Sequence, residues 1–296
     1  MSSNVTIKCG NTEAIICPKG AEIISFKGSD GRERIWQADP DVWGRHAPVL
    51  FPVCCAVKNK SVIIDGVSYP MVKHGFVRDW EFEVAGQSAS TVNLVMRPDM
   101  AAKRMLPFDY ELHVRFEVYE DGFNCEFEVV NKSEKVMPFC IGGHPGFVCP
   151  MEEGAAFEDY DVVFPETESG VVSLLNSEGE ITGRAPFKEL ECRDRFSLKH
   201  EFFDERDTLI FPELKSRSVK LINRNTGKGI NFDFAKMPVL AIWTKPKANA
   251  CYVCLEPWQG LPAGVDEMGT FDEKPFAVHL ESGCSFKTGY SVRIID

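Results

Sequence analysis

Two short segments, far apart in the chain, each place one titratable side chain directly before a proline. Gly142–Phe147 reads Gly-Gly-His-Pro-Gly-Phe and contains His144, whereas Leu255–Gly260 reads Leu-Glu-Pro-Trp-Gln-Gly and contains Glu256. An imidazole and a carboxylate can give and take protons near neutral pH. The pair therefore predicts acid–base chemistry on a small polar substrate.

The first of these residues, His144, follows the strand-like run Val136–Ile141. Pro145 restricts its backbone to extended conformations, and the surrounding glycines would let a ligand approach the imidazole closely. A histidine hydrogen-bonded within a turn explains the same residues. His144 therefore points to catalysis mainly in combination with Glu256.

Glu256 ends the apolar run Cys251–Leu255, so we expect its carboxylate to be partly buried at the end of a strand. Partial burial raises the pKa of a carboxylate and makes it a better base. Trp258 offers an aromatic ring suited to the apolar face of a sugar. The alternative is a solvated glutamate at a strand end, with Trp258 in the core.

Lys73–Asp79 is a third dense group of polar residues. Within it, His74 could donate a hydrogen bond to a ligand oxygen. Arg78 could either pair with Asp79 or hold a phosphate or hydroxyl group. Arg45 is a further candidate for substrate binding.

Asp207 opens the strand-like run Asp207–Phe211 and is another polar candidate. No glycine-rich phosphate loop, G-x-S-x-G elbow or metal-ligand cluster competes with these residues in the sequence. Cys251 and Cys254 form a C-x-x-C, but residues three apart on a strand face opposite sides. We therefore predict that the protein uses no metal.

Apolar and polar residues alternate with period two along most of the chain, which is typical of strands with one buried face. The predicted strands are Val5–Cys9, Ala14–Cys17, Trp80–Val84, Thr91–Met96, Glu111–Val118, Phe123–Val130, Ser218–Ile222, Val239–Trp243 and Ser285–Ile294. Asp65-Gly66 and Asp121-Gly122 indicate tight turns, and residues 39–44 and 199–204 could form short helical turns. We predict one all-β domain over residues 1–296, a large antiparallel sandwich, with residues 151–195 as irregular excursions over one face.

Composition narrows the classes of partner. The chain has 296 residues, of which 44% are hydrophobic and 26% charged, and a net charge of -11. This acidity disfavours nucleic acid and anionic membranes as partners. Residues 1–10 lack the pattern of a signal peptide, and no apolar run reaches the ~20 residues of a membrane span. We expect a cytoplasmic protein, and its oligomeric state stays open.

In combination, five strings resemble the aldose 1-epimerase (galactose mutarotase-like) superfamily, and most of all its LacX-type branch. In family order they are Trp43-x-Arg45-x-Ala47-Pro48-Val49-Leu50-Phe51-Pro52, Lys73-His74-Gly75-Phe76-Val77-Arg78-Asp79, Gly143-His144-Pro145-x-Phe147, Asp207-Thr208-Leu209-Ile210-Phe211 and Glu256-Pro257-Trp258-x-Gly260. The resemblance implies an antiparallel β-supersandwich with a sugar cleft on one face.

The resemblance also implies roles. Glu256 would be the general base on the anomeric hydroxyl, and His144 the general acid on the ring oxygen. His74 and Asp207 would orient the sugar, and no cofactor would be needed. Many family members have a sugar-binding arginine where this chain has Ala56, which Arg45 or Lys58 could replace.

Three functions follow in order of preference. The first is a mutarotase acting on a free aldohexose. The second is a hexose-6-phosphate 1-epimerase, with Arg78 as the phosphate contact. The third is a sugar-binding protein that has lost turnover.

Overall fold

The computed structural model describes residues 3–296, and antiparallel strands dominate it. The first twelve strands are β1 (Val5–Cys9), β2 (Thr12–Cys17), β3 (Glu22–Lys27), β4 (Val49–Leu50), β5 (Ser61–Ile64), β6 (Val67–Pro70), β7 (Glu83–Gln87), β8 (Thr91–Met96), β9 (Tyr110–Tyr119), β10 (Gly122–Asn131), β11 (Met137–Phe139) and β12 (Ile141–Gly143). The others are β13 (Gly146–Val148), β14 (Tyr160–Glu168), β15 (Val171–Leu175), β16 (Ile181–Pro186), β17 (Arg193–Ser197), β18 (Thr208–Phe211), β19 (Ser218–Asn223), β20 (Gly229–Asp233), β21 (Val239–Trp243), β22 (Tyr252–Gln259), β23 (Val278–Leu280) and β24 (Ser285–Ile295).

The helices are short. The α-helices are α1 (Met100–Lys103) and α2 (His200–Arg206), and single 3₁₀ turns lie at Lys58–Lys60, Val77–Asp79, Phe157–Asp159 and Phe271–Glu273. Within residues 3–296, no helix has the length and apolar character needed to cross a membrane.

Two large sheets form the framework. One has nine strands in the order β17-β14-β19-β20-β24-β10-β9-β8-β7, and the other has eight, in the order β16-β15-β18-β21-β22-β12-β4 with β13 also paired to β22. Smaller sheets join β1-β2-β3, β11-β23 and β5-β6. Rings of the two large sheets meet between them, as where Phe147 of β13 lies 5.9 Å from Phe232 of β20. The predicted all-β antiparallel class is confirmed.

The alternating pattern explains the longest hairpin. Along β9 every second residue is buried, including Leu112, Val114 and Phe116, while their neighbours are partly or fully exposed. Burying such side chains contributes ~1.5–3 kcal/mol each. A slip of one residue would bring the charged face into the core, so the pattern itself sets the register.

Several element predictions are confirmed, and one of the strand boundaries is wrong. β8 and β21 have the predicted bounds, and α2 covers the second predicted helical turn. Trp80 is not in a strand, because it ends the 3₁₀ turn and packs against Phe76, so that β7 begins only at Glu83. At residues 39–44 the N–H groups of Val42 and Trp43 both donate to the Asp39 carbonyl, so the predicted helical turn is present, although it does not extend into a helix.

The two predicted turns have different outcomes. Asp65 and Gly66 join β5 to β6 with φ angles of 50° and 77°, as a two-residue hairpin of mirror-image type requires. In the other hairpin, Tyr119 pairs with Gly122, so the turn consists of Glu120 and Asp121. Gly122 is therefore the first residue of β10, and the predicted turn is shifted by one residue.

The prediction for residues 151–195 is wrong, because this segment supplies β14–β17 and so extends both large sheets. Its end strand β16 is half-exposed or exposed at every residue. A strand without a buried face does not need apolar residues at alternate positions, which explains why the sequence pattern is weak there.

Candidate active site

The two prolines seen in the sequence mark an interruption in one antiparallel ladder. Gly142 of β12 pairs with Trp258 of β22, and Gly146 of β13 pairs with Cys254 of the same strand. The register is the same on both sides of the break, so it places His144 directly opposite Glu256. Directly opposed residues of an antiparallel pair point to the same face.

The sequence predicted Glu256 at the end of a strand. In the structure, β22 continues past Glu256 through Pro257 to Gln259. The N–H of Leu255 donates to the Pro145 carbonyl across the break, and Pro257 has the same orientation two residues on. Its missing N–H therefore falls opposite Gly143, the last residue of β12, where the ladder is interrupted. The interruption tolerates the proline and frees the His144 side chain from the sheet.

The side chains of His144 and Glu256 come together at the base of a cleft. His144 Nε2 lies 3.2 Å from Glu256 Oε2, and the two side chains are only 10% and 2% exposed. These two atoms do not form an aligned hydrogen bond, because Glu256 Oε2 is buried without a hydrogen-bond partner. The other ring nitrogen, His144 Nδ1, is also buried without a partner. Both groups therefore retain polar atoms that a substrate could engage.

The cleft has a volume of about 370 Å³ and contains all seven residues predicted from the sequence. They are His144, Glu256, His74, Asp207, Arg78, Arg45 and Trp258. Prediction from sequence missed eight further lining residues, namely Trp43, Pro48, Cys55, Lys73, Thr208, Trp243, Lys245 and Pro246. The position of Lys73 directly before His74 was the only signal that could have identified it.

Burial shifts the pKa values of His144 and Glu256 in opposite directions. It lowers the pKa of His144 to about 3, and nearby lysine and arginine cations act in the same direction. Burial raises the pKa of Glu256 well above its usual value; the Lys73 cation opposes this rise, whereas the Asp207 carboxylate adds to it. Since burial disfavours the charged form of each group, the pair holds one exchangeable proton between two neutral partners.

His74 is held as a hydrogen-bond donor toward the cleft. The backbone N–H of Cys55 donates to His74 Nδ1 at 3.1 Å, and the backbone N–H of His74 donates to the Cys55 carbonyl at 2.9 Å. Burial holds the pKa of His74 well below its usual value. The imidazole is therefore neutral, and its remaining proton is on Nε2.

Aromatic rings form one wall of the site. Trp43 lies 5.0 Å from the His144 ring at an interplanar angle of 31°, and Trp243 approaches the same imidazole edge-on at 5.6 Å. Both indoles are half-buried, whereas Trp258 is 1% exposed and belongs mainly to the core. Trp43 and Trp243 are thus better placed than Trp258 to offer a ring face to a sugar.

The loop opposite His144 is anchored by a buried carboxylate. Glu22 Oε1 accepts the N–H groups of His46 at 2.6 Å and Ala47 at 2.7 Å. The His144 N–H donates to the Pro48 carbonyl at 3.0 Å. These hydrogen bonds hold residues 46–48 and the backbone of His144 in fixed positions beside the cleft.

Four cations line the cleft. Arg45 donates to Asp79 at 2.7 Å, so Asp79 pairs with Arg45 more closely than with Arg78, whose Nε lies 4.0 Å away. Arg78 donates instead to the Lys73 carbonyl at 3.0 Å, and its Nε is buried without a partner. Lys73 and Lys245 make no ion pair with any described residue.

Asp207 stands at the end of α2, where its φ of 60° turns the chain into β18. Its carboxylate accepts a hydrogen bond from the Thr208 hydroxyl at 2.9 Å. Ala56, at the position of the expected arginine, is buried and does not line the cleft. Lys58 is also directed elsewhere, toward Glu180 and the Val265 carbonyl, so of the two proposed replacements only Arg45 reaches the cleft.

Comparisons with known proteins agree with this geometry. The family model of aldose 1-epimerase matches residues 3–271. The plasmid and chromosomal LacX proteins of Lactococcus lactis subsp. lactis are 33% identical to this chain over 286 residues, which is 94% of either length.

Solved structures give the same result. A galactose mutarotase related enzyme from Lactobacillus acidophilus superposes with a TM-score of 0.93 at 30% identity, over 99% of this chain and 98% of that one. A galactose mutarotase-like protein from Lactobacillus casei superposes with a TM-score of 0.92 at 27% identity, over 99% of this chain and 100% of that one.

Proposed function

The chain belongs to the aldose 1-epimerase family, and from that premise we propose that it interconverts the α and β anomers of an aldohexose. The observation that supports this most is the His144–Glu256 pair, 3.2 Å apart at the base of a polar cleft. Anomer exchange needs one proton removed and another supplied at two oxygens of the same ring. A pair that holds one exchangeable proton can do both.

In the proposed reaction, the proton shared by the pair moves to His144 when the sugar binds. The ionised Glu256 then takes the proton from the anomeric hydroxyl while the protonated His144 donates its proton to the ring oxygen. The bond between the anomeric carbon and the ring oxygen breaks, which leaves the open-chain aldehyde. Rotation about the C1–C2 bond exposes the other face of the carbonyl. Ring closure then returns the protons in the reverse direction, so the enzyme ends in its starting state.

Other cleft residues would orient the ring. The Nε2–H of His74 and the carboxylate of Asp207 supply one donor and one acceptor for sugar hydroxyls. The half-buried rings of Trp43 and Trp243 can cover the apolar face of the sugar. Each positioned acid or base contributes typically ~10²–10⁴-fold, which suits a reaction that already proceeds in water.

Polarimetry of freshly dissolved α-D-glucose and α-D-galactose tests the proposal. We expect the protein to accelerate mutarotation and Glu256→Gln to lose this effect. Glu168→Gln is the matched control, because Glu168 is equally buried but lies outside the cleft. Equal rates with and without wild-type protein, for both sugars and for their 6-phosphates, would contradict the proposal and favour a sugar-binding protein without turnover.

A second candidate is a hexose-6-phosphate 1-epimerase, which the four cations of the cleft favour. The unpaired Lys73 and Lys245 are free to contact a phosphate, and Arg78 carries an unpartnered Nε. We expect this function if glucose 6-phosphate reacts with a much higher kcat/KM than glucose and if inorganic phosphate inhibits. A wild-type preference for the free sugar over glucose 6-phosphate, unchanged in Lys245→Met, would rule this function out.

A further inference from the structure

A buried thiol stands beside the acid–base pair, and the proposed reaction does not use it. Cys254 lies two residues before Glu256 on β22 and is fully buried. Residues two apart on a strand share a face. The Cys254 Sγ, a ring nitrogen of His144 and a carboxylate oxygen of Glu256 all lie within 4.8 Å of one another.

Two of these three groups carry buried atoms without a partner. Glu256 Oε2 makes no hydrogen bond although its side chain is only 2% exposed, and His144 Nδ1 is likewise unpartnered. Buried polar atoms in proteins are nearly always satisfied. Glu256 Oε2 therefore lacks a partner at a point where His144 Nε2 lies only 3.2 Å away, and a bound ion would supply that partner.

The donor set fits a particular ion. Imidazole nitrogen, thiolate sulfur and carboxylate oxygen are the three ligand types of zinc, and three protein ligands with one open position form a common zinc geometry. In a tetrahedral site, nitrogen and oxygen ligands stand about 3.4 Å apart, and nitrogen and sulfur about 3.5 Å. The His144–Glu256 separation of 3.2 Å is close to this already, and the thiol needs to move by little more than an ångström.

We propose that Zn²⁺ binds between His144, Cys254 and Glu256 and reversibly blocks the epimerase reaction. The inhibition, though not the binding, rests on the proposed function. Binding forms a zinc–sulfur bond, and both the thiol proton and the proton shared by His144 and Glu256 leave to solvent. Because His144 and Glu256 would then coordinate the metal with their lone pairs, they could neither accept nor donate the protons that ring opening needs. Lys73, Arg45 and Arg78 repel the cation electrostatically and keep its binding reversible.

This site differs from the C-x-x-C pair that the sequence presents. Cys251 lies just before β22 and is exposed, whereas Cys254 is buried within the strand. The second and third ligands come instead from the opposed strand and from Glu256. A zinc ion bound here would contradict the prediction from the sequence that the protein uses no metal.

Equilibrium dialysis against Zn²⁺, followed by metal analysis, tests the binding directly. We expect one zinc per chain in the wild type, at least about tenfold weaker binding in Cys254→Ser, and unchanged binding in Cys251→Ser. With Co²⁺ in place of zinc, the wild type should show a thiolate-to-metal charge-transfer band that Cys254→Ser lacks. Equal zinc affinity in the wild type and Cys254→Ser, or no thiolate band in the wild type, would overturn the proposal.

Activity is a separate readout. We expect Zn²⁺ to inhibit wild-type mutarotation and to act at least about tenfold more weakly on Cys254→Ser, whose metal-free rate should match the wild type. A protein that binds zinc through Cys254 but has no epimerase activity would support the site and contradict the proposed function. If Cys254→Ser does not fold, the Co²⁺ spectrum of the wild type decides.

Discussion

Replacing Glu256 with glutamine should lower activity and raise stability together. Glu256 is 1% exposed, and its Oε2 has no hydrogen-bond partner. An unsatisfied buried group costs about 1–3 kcal/mol of folding free energy, and an ionised one costs more, so we expect the charge of Glu256 to add at least this amount. Because glutamine keeps the shape and removes the ionisation, Glu256→Gln should raise the free energy of unfolding by about this amount.

The size of the effect depends on pH in a direction that the pKa sets. Burial raises the pKa of Glu256 in the folded protein above its ordinary value of 4.5. At alkaline pH both the folded and the unfolded wild type are ionised, and the folded state bears the cost of a buried charge. As pH falls through the raised pKa the folded state gains a proton first, so the advantage of the variant should diminish and disappear below 4.5.

Calorimetric unfolding of wild type and variant over this pH range measures the difference. For a chain of this length one kcal/mol moves Tm by roughly 2 °C, so we expect a rise of about 2–6 °C at alkaline pH. The loss of activity should be about 10²–10⁴-fold. A lower Tm in Glu256→Gln would refute the reasoning, because it would mean that the carboxylate stabilises the fold.

Glu168 is the control for this measurement. It is also buried, but its two oxygens accept the N–H groups of Lys215 at 3.0 Å and Ser216 at 2.7 Å. An amide cannot accept both bonds. Glu168→Gln should therefore lower stability by about 1–3 kcal/mol and leave catalysis unchanged.

Three further substitutions test the charges and the backbone of the site. Lys73→Met removes a cation that favours ionised Glu256, so the pKa of this carboxyl should rise. Because the pair is inactive once it has lost its shared proton, the alkaline limb of the kcat/KM profile should move to higher pH. A limb that is unchanged or at lower pH would contradict this. Asp207→Asn removes a carboxylate that disfavours the ionised form, and the same limb should move to lower pH, the opposite direction from the lysine variant. Gly75→Ala would place a Cβ 1.9 Å from the Phe51 carbonyl oxygen at a φ of +71°, and urea unfolding should show a loss of at least about 2 kcal/mol; a loss below half that would contradict the strain.

Part of the fold was readable from the sequence because one-sided burial leaves a period of two. β8 and β21 were predicted with their observed bounds, since each has an apolar run bounded by turn residues. β16 escaped prediction because neither of its faces is buried. Trp80 was assigned to a strand because its aromatic side chain matches that pattern, although a 3₁₀ turn decides its conformation.

The candidate site divides in a similar way. The sequence by itself determined which residues could exchange protons, because His144 and Glu256 each stand beside a proline and near glycines. Only the tertiary structure placed them opposite one another, since the shared register of β12 and β13 along β22 joins segments far apart in the chain. It alone brought Trp243 and Lys245 into the cleft, because a lysine or tryptophan outside the recognised strings has no local signal for the cavity that it faces. Chemistry is a property of residue types, whereas distances and desolvation arise only when the strands pair and the sheets pack.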